Sequence, residues 1–131
     1  MLRCRMSALT AVAVLACMAY AAEDKALKPE EARKQVGKKV TVVMTVRAAK
    51  DRLEKRGEIY LDSEEDFKDA KNFAVVITKK GAAALKKAGI GDPAGHYKDK
   101  KIRATGTVKE VDEIPRIEID EAEQIKLTGK G

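Results

Sequence analysis

Apolar and polar residues alternate along several stretches of the chain, a period-two pattern that is typical of strands with one buried face. Five strands are predicted, over residues 39–47, 58–61, 72–78, 101–111 and 116–119. The residues expected to face inward are Val40, Val42, Met44, Val46, Ile59, Leu61, Ile102, Ala104, Gly106, Val108, Ile117 and Ile119. Ile125 and Leu127 are expected to finish the last strand or to pack beneath it.

Two short helices are predicted from a different pattern. Residues 28–36 place Pro29 at the first helical position and two glutamates at the positive end of the helix dipole. Residues 79–88 hold three consecutive alanines and Leu85 between lysine pairs, and Gly89 then ends the helix. Residues 50–57 are charged and end in glycine, which predicts a loop.

This order of elements predicts a mostly β fold. Five strands in so short a chain need closure or cover to hide their edges. A Greek-key barrel of the OB type, plugged by the helix between strands three and four and preceded by the short N-terminal helix, meets that need.

The N-terminal 21 residues have the order of a cleavable secretory signal. Arg3 and Arg5 precede an apolar run over residues 8–19, which is shorter than the roughly 20 residues of a membrane-spanning helix. Ala19-Tyr20-Ala21 has the small-residue pattern of a cleavage site, so that the mature chain would begin near Ala22. No transmembrane segment is predicted.

A second processing scheme changes the predicted location. Residues 14–17 resemble a lipoprotein box, in which Cys17 would be acylated and anchor the protein. Under either scheme the protein is exported, as a periplasmic or secreted protein or as a lipoprotein, and Cys4 is lost with the leader. The predicted organisation is a signal peptide over 1–21, a linker over 22–28, an OB domain over 29–127 and a tail over 128–131.

The charge of the chain is mildly positive. It has 131 residues with 27 Lys and Arg against 21 Asp and Glu, a formal net charge of +6. Cleavage of the leader would remove two arginines and no acid. Such a charge permits a polyanionic partner without requiring one.

Several segments resemble a known group of domains. They are Val36-Gly37-Lys38-Lys39-Val40-Thr41-Val42, Ile59-Tyr60-Leu61, Asn72-Phe73-Ala74-Val75-Val76-Ile77, residues 97–108, Pro115-Arg116-Ile117-Glu118-Ile119 and Gln124-Ile125. These segments resemble the anticodon-binding-like OB domains of exported bacterial proteins. A second exported group, the periplasmic bacterial OB-fold proteins, is similar in length and in its signal segment but lacks the long insert between strands three and four, and it ranks second. The resemblance implies single-stranded nucleic acid or another polyanion as the ligand.

The candidate ligand-binding residues follow from how OB folds bind, across strands two and three and between the first and last inter-strand loops. The first loop supplies Lys50, Arg52, Lys55 and Arg56, and strand two turns Tyr60 outward as a platform for a base. Arg103, Lys109 and Arg116 are predicted to face outward and to extend a basic strip across the later strands, with Arg103 and Arg116 as candidate ligand-binding residues. The alternatives are that the basic loop is a solvated turn and that these three strand cations form cross-strand pairs with Glu118 and its neighbours.

Other features argue against nucleic acid. Residues 110–115 carry three acids on the opposite wall, and five more acids lie within residues 62–69. Aromatic residues are few, and Phe67 and Phe73 are interpreted as core residues or loop anchors.

No catalytic or metal-binding set is recognisable. The chain has a single histidine, His96, interpreted as a loop residue beside Tyr97, and the acidic run over residues 62–66 lacks the ligand spacing of a calcium loop. No nucleophile, base and orienter occur in a familiar arrangement. We therefore predict no enzyme, cofactor or metal. Two hypotheses remain: an exported binding module for single-stranded DNA, RNA or another polyanion, and a structural or protein-interaction domain of the bacterial envelope.

Overall fold

The structure, a computed structural model, describes residues 25–129. The signal peptide, both processing schemes, Cys4 and Cys17 lie outside these residues. Within them, no helix is long and apolar enough to cross a membrane.

Eight strands and four short α-helices make up the described part of the chain, with one turn of 3-10 helix at Ala122–Gln124. The strands are β1 (Ala26–Leu27), β2 (Lys39–Thr45), β3 (Ala48–Arg52), β4 (Glu58–Asp62), β5 (Ala74–Thr78), β6 (Lys101–Val111), β7 (Ile114–Ile119) and β8 (Ile125–Leu127). The helices are α1 (Pro29–Ala32), α2 (Leu53–Arg56), α3 (Lys79–Lys87) and α4 (Pro93–Tyr97).

The strands form one mixed sheet in the order β1-β2-β6-β7-β5-β4-β3, and β8 pairs with β6 beside that path. The pairs β1·β2 and β5·β7 are parallel and the others are antiparallel. The mostly β class is therefore confirmed.

The prediction of five strands in a closed barrel is corrected, because eight strands form and no ladder among residues 25–129 joins the two ends of the path. The three strands beyond the prediction are β1, β3 and β8. Strand β3 begins just after Val46 and Arg47, the last two residues of the predicted first strand, where the backbone changes its pairing partner. The Val46 N–H donates to the Lys100 carbonyl, on the side of β6, whereas the Arg47 N–H donates to the Asp62 carbonyl at the end of β4. The chain thus changes its pairing partner between β2 and β3.

Two further segments differ from the sequence prediction. Residues 50–57 are not a loop: they complete β3 and form α2, which ends at Gly57 in the left-handed conformation (φ 74). Residues 125–127 form the separate strand β8. His96 lies in the last turn of α4 rather than in a loop, and its ring meets that of the buried Tyr97 edge to face.

The core lies between the inward faces of these strands and confirms the predicted alternation. Val42, Met44, Ile59, Leu61, Ile102, Ala104, Val108, Ile117 and Ile119 are all buried. Helix α3 covers one end of this core with Leu85, which is 1% exposed. Because the core residues occupy one face of each strand, the alternate residues of β3, β4, β5 and β7 make an outer surface.

Candidate binding cleft

A cleft of about 490 Å³ lies on the outer surface of β4 and β5. Its volume is typical of ligand-binding clefts in proteins, which span about 300–1,000 Å³. The residues that line it are Lys50, Arg52, Lys55, Arg56, Glu58, Tyr60, Asp62, Phe67, Ala74, Val76, Val111, Asp112, Ile114 and Arg116. One wall is formed by β3 and α2, and the other by the β6–β7 hairpin.

Four cations form the first wall, and we call Lys50, Arg52, Lys55 and Arg56 the basic rim. In the β3·β4 ladder, Lys50 lies opposite Tyr60 and Arg52 lies opposite Glu58. The side chains of these two cross-strand pairs therefore lie on the face of the sheet that carries the cleft. The other two rim residues, Lys55 and Arg56, belong to helix α2. All four members of the rim are exposed, and none forms an ion pair within residues 25–129.

A chain of polar contacts begins in the floor of the cleft at Tyr60, Glu58 and Arg116 and continues to Glu118 and Lys109, which do not line the cleft. The Tyr60 hydroxyl donates to Glu58 Oε1 at 2.5 Å, and the other oxygen of Glu58 accepts from Arg116 at 2.8 Å. Arg116 also donates to Glu118 at 2.6 Å, and Glu118 accepts from Lys109 at 3.1 Å. Each glutamate therefore uses both carboxylate oxygens.

These contacts shift the titration of the groups that form them. Burial by itself lowers the pKa of Arg116, but the hydrogen bond that Arg116 donates to Glu118 and the charge of Glu58 outweigh it and raise that pKa. Burial raises the pKa of Glu118, but its hydrogen bonds from Arg116 and Lys109 outweigh this, and the net shift is downward. Burial, followed by the hydrogen bond to Glu58, raises the pKa of Tyr60, although the nearby Arg56 opposes this.

Arg116 crosses the sheet to reach Glu58. It lies opposite Ala74 of β5, whereas Glu58 on β4 lies opposite Thr78, so their ion pair passes over β5 and its buried Val76. Only 11% of the Arg116 side chain is exposed, and its Nε is buried with no hydrogen-bond partner among the described residues. Because two glutamates neutralise it, Arg116 is a weaker site for phosphate than the rim.

Asp62 is a buried acid at the end of the floor, only 2% exposed. Burial raises its pKa, and the hydrogen bond from Asn72 and the charge of Lys50 oppose this without cancelling it. The Asn72 side chain, which is fully buried, donates to Asp62 at 3.0 Å. The raised pKa reflects the cost of burying a carboxylate, which the hydrogen bond from Asn72 offsets only in part.

The structure brings together six of the seven predicted ligand-binding residues. Lys50, Arg52, Lys55, Arg56, Tyr60 and Arg116 line the cleft, but Arg103 does not, since it lies on β6 opposite Val43 and Lys126. The alternative interpretation of cross-strand pairing is confirmed for Lys109 of β6, which binds Glu118 of β7. Arg116 binds Glu118 two residues along its own strand and reaches another strand only at Glu58. Phe73 is fully buried in the core, in agreement with its interpretation as a core residue or loop anchor.

Phe67 is a lining residue that the sequence analysis did not assign to the site. It is 39% exposed, and its ring lies on the cleft side of the segment between β4 and β5. A single phenylalanine in an acidic segment carries no periodicity, so no local pattern marks it. Within residues 25–129, no group of three or more His, Cys, Asp and Glu side chains is placed to hold a metal ion.

No protein-family model and no curated protein matches the chain. Solved structures do match it. Asparaginyl-tRNA synthetase from Pyrococcus horikoshii matches over 80% of this chain and 23% of its own, at 16% identity and a TM-score of 0.52. Aspartyl tRNA synthetase from Entamoeba histolytica matches over 79% of this chain and 21% of its own, at 17% identity and a TM-score of 0.52. The fold is OB-like.

A third match has nearly the length of this chain. The OBody AM3L09, solved bound to hen egg-white lysozyme, matches over 80% of this chain and 95% of its own, at 15% identity and a TM-score of 0.54. The chain spans less than a quarter of each synthetase. At these identities the likeness shows an OB-like fold and leaves the ligand to be argued from the cleft.

Proposed function

We propose that this protein is a non-enzymatic binding module that holds single-stranded nucleic acid in the cleft. The observation that carries the proposal is the basic rim, four cations that form no ion pair with any described acid, beside an aromatic ring on the outer surface of β4 and β5. OB folds bind oligonucleotides across the corresponding strands, between the corresponding walls.

The two parts of the cleft suit the two parts of a nucleotide chain. A rim of flexible cations neutralises phosphates and releases counterions, which supplies affinity without sequence preference. Tyr60 offers a ring on which a base can stack. Among the lining residues, five basic side chains outnumber the three acids Glu58, Asp62 and Asp112. One of these acids is already paired with Arg116, so the rim dominates the charge that a ligand meets.

The proposal includes export, on the basis of the N-terminal sequence pattern. The intact mass of the exported protein tests this part. A chain that begins near Ala22 supports simple secretion, an acylated Cys17 supports a lipoprotein, and an uncleaved chain contradicts both.

Fluorescence-anisotropy titration of the purified protein tests the binding. The probes are labelled single-stranded DNA and RNA at low and moderate salt, with heparin as a polyanion that has no bases. We expect binding that weakens with salt and prefers the single strands to heparin. In the variant R52A/K55A/R56A, affinity should fall and the slope of log K against log salt should flatten by about 2, since each phosphate contact contributes about 0.7.

The matched control removes the same charge from elsewhere. K80A/K86A/K87A loses three exposed lysines of α3, none of which lines the cleft, and alanine suits a helix. Equal losses of affinity in the two triple variants would mean a diffuse charge effect and would contradict the site. Equal binding of heparin would reduce the site to a generic basic patch.

One observation favours a second candidate, a protein-interaction domain of the envelope. The OBody that matches this chain over nearly its own full length is bound to a protein, lysozyme. The acids of the hairpin wall and floor suit a protein ligand better than a phosphate chain. Absence of binding to DNA, RNA and heparin alike would favour this candidate over the first.

A further inference from the structure

Phe67 differs from Phe73, the other phenylalanine of the chain, in how far its side chain is exposed. Phe73 is fully buried in the core, whereas Phe67 is 39% exposed and lines the cleft. Single exposed apolar side chains are common in proteins and need no explanation by themselves. Val36 and Leu127 are examples here, and neither lines the cleft. The position of Phe67 is therefore informative only together with its surroundings.

The segment that carries Phe67 is held by hydrogen bonds to the side chain of Asn72. The Asn72 amide nitrogen donates to the Phe67 carbonyl at 3.3 Å and to Asp62 at 3.0 Å. Its amide oxygen accepts from the backbone N–H of Glu64 at 3.0 Å. One buried side chain thus fixes the backbone at Glu64 and at Phe67 itself, so that the ring is presented by an ordered segment.

Cations surround the ring. Lys50 Nζ of the rim lies 4.8 Å from the ring centroid and Lys68 Nζ lies 5.8 Å from it. A ring that takes ammonium groups at its face has a face that is not packed against apolar neighbours. Cations alternating with accessible aromatic rings are the arrangement that binds single strands without sequence preference.

We propose that Phe67 is a second stacking platform, so that the cleft takes at least two successive bases of a single strand, one on Tyr60 and one on Phe67. The inference rests on the proposed function. Lys50 has a flexible four-carbon stem, so a base can replace its ammonium at the ring while the ammonium moves to the adjacent phosphate. Phe67 and Lys50 therefore act on different parts of the same nucleotide.

The test compares F67A with L127A, which removes another exposed apolar side chain, one that does not line the cleft. The probes are a labelled ten-nucleotide single strand of thymidines and a strand of the same length with every base removed. F67A should bind the thymidine strand about 5- to 150-fold more weakly, the effect of losing one stack, with an unchanged salt slope. It should bind the abasic strand as the unmodified protein does.

K50A gives the opposite signature, with a salt slope flatter by about 0.7 on both strands. Circular-dichroism melting should show F67A folded, because its side chain is exposed. If the unmodified protein binds neither strand, the proposed function itself is wrong and this inference falls with it. If it binds the thymidine strand and F67A binds as L127A does, the second platform alone is wrong.

Discussion

At the scale of single residues, the cations of the cleft are of two kinds: one forms ion pairs within the fold, and the others are exposed and form none among the described residues. Arg116 is held between Glu58 and Glu118 at 2.8 and 2.6 Å and is mostly buried, whereas the rim cations are exposed. An ion pair that is broken on one side leaves an uncompensated buried charge, which costs more than the pair contributes. Arg116 should thus matter first for stability.

We expect R116A to lower the free energy of unfolding by about 2 kcal/mol. Breaking a fully buried pair costs about 3–5 kcal/mol, and the partial exposure of both glutamates reduces this. K109A removes another donor to Glu118, but its side chain is 51% exposed, so a loss under about 0.5 kcal/mol is expected. Urea unfolding of both variants measures the difference, and equal losses would mean that Arg116 is no more than a surface ion pair.

Whereas the charge of Arg116 is expected to stabilise the fold, the charge of Asp62 is expected to destabilise it. Burial raises the pKa of Asp62 and so disfavours its charged form in the folded protein. An acid whose pKa is higher in the folded than in the unfolded protein lowers the free energy of unfolding at pH values above its folded pKa. It has no such effect below its unfolded pKa, which is near 3.8. D62N should therefore raise the melting temperature at pH 7, with a gain that disappears as the pH is lowered towards 4.

The control for this pH dependence is E65Q, which neutralises an exposed acid of the same segment and should leave the melting curve nearly unchanged. A lower melting temperature for D62N at pH 7 would contradict the prediction. That result would show that the ionised carboxylate stabilises the fold through Asn72 and Lys50.

At the scale of elements, α3 packs closely against the sheet at Gly81. Thr78 begins the helix by accepting the Gly81 N–H at 3.1 Å and donates its own hydroxyl to Asp120 at 2.6 Å. A β-carbon on Gly81 would lie 2.0 Å from the Ile119 carbonyl oxygen, which belongs to the backbone of β7. The close approach brings Leu85 into the core, and only glycine permits it.

G81A should therefore destabilise the protein by about 3 kcal/mol, although alanine is the better helix former by about 1 kcal/mol. A83G, at an exposed position of the same helix, should cost about 1 kcal/mol through helix propensity alone. Thermal unfolding of the pair separates the two effects. A G81A protein as stable as the unmodified one would mean that the helix can move away from β7 at little cost.

At the scale of the whole molecule, the sequence predicted what depends on local pattern. The inward residues of β2, β4, β6 and β7 follow from period two, and α3 follows from its alanines and the glycine after it. The number of strands did not follow, because the change of partner at Val46 and Arg47 depends on where Lys100 and Asp62 lie in space. Local pattern holds no information about such distant partners.

The same limit applies to the cleft. Tyr60 and Arg116 could be placed by counting the outward positions of β4 and β7 from their inward neighbours. The basic rim was assigned to the site as part of the predicted first loop, and it lines the cleft although its residues form β3 and α2. Arg103 is outward too, but β6 is long enough that its first half faces a different part of the molecule. Phe67 was missed because its position depends on Asn72, five residues along the chain.

The basic rim lies partly on β3, which is the last strand of the path and, among residues 25–129, pairs only with β4. Such a terminal strand offers unpaired backbone groups to which a second molecule could add, and charged side chains are a common protection against that self-association. Lys50, Asp51 and Arg52 are charged side chains of this kind. The side chains that would attract a ligand therefore also oppose self-association, so we expect mutations that discharge β3 to promote aggregation as well as to weaken binding.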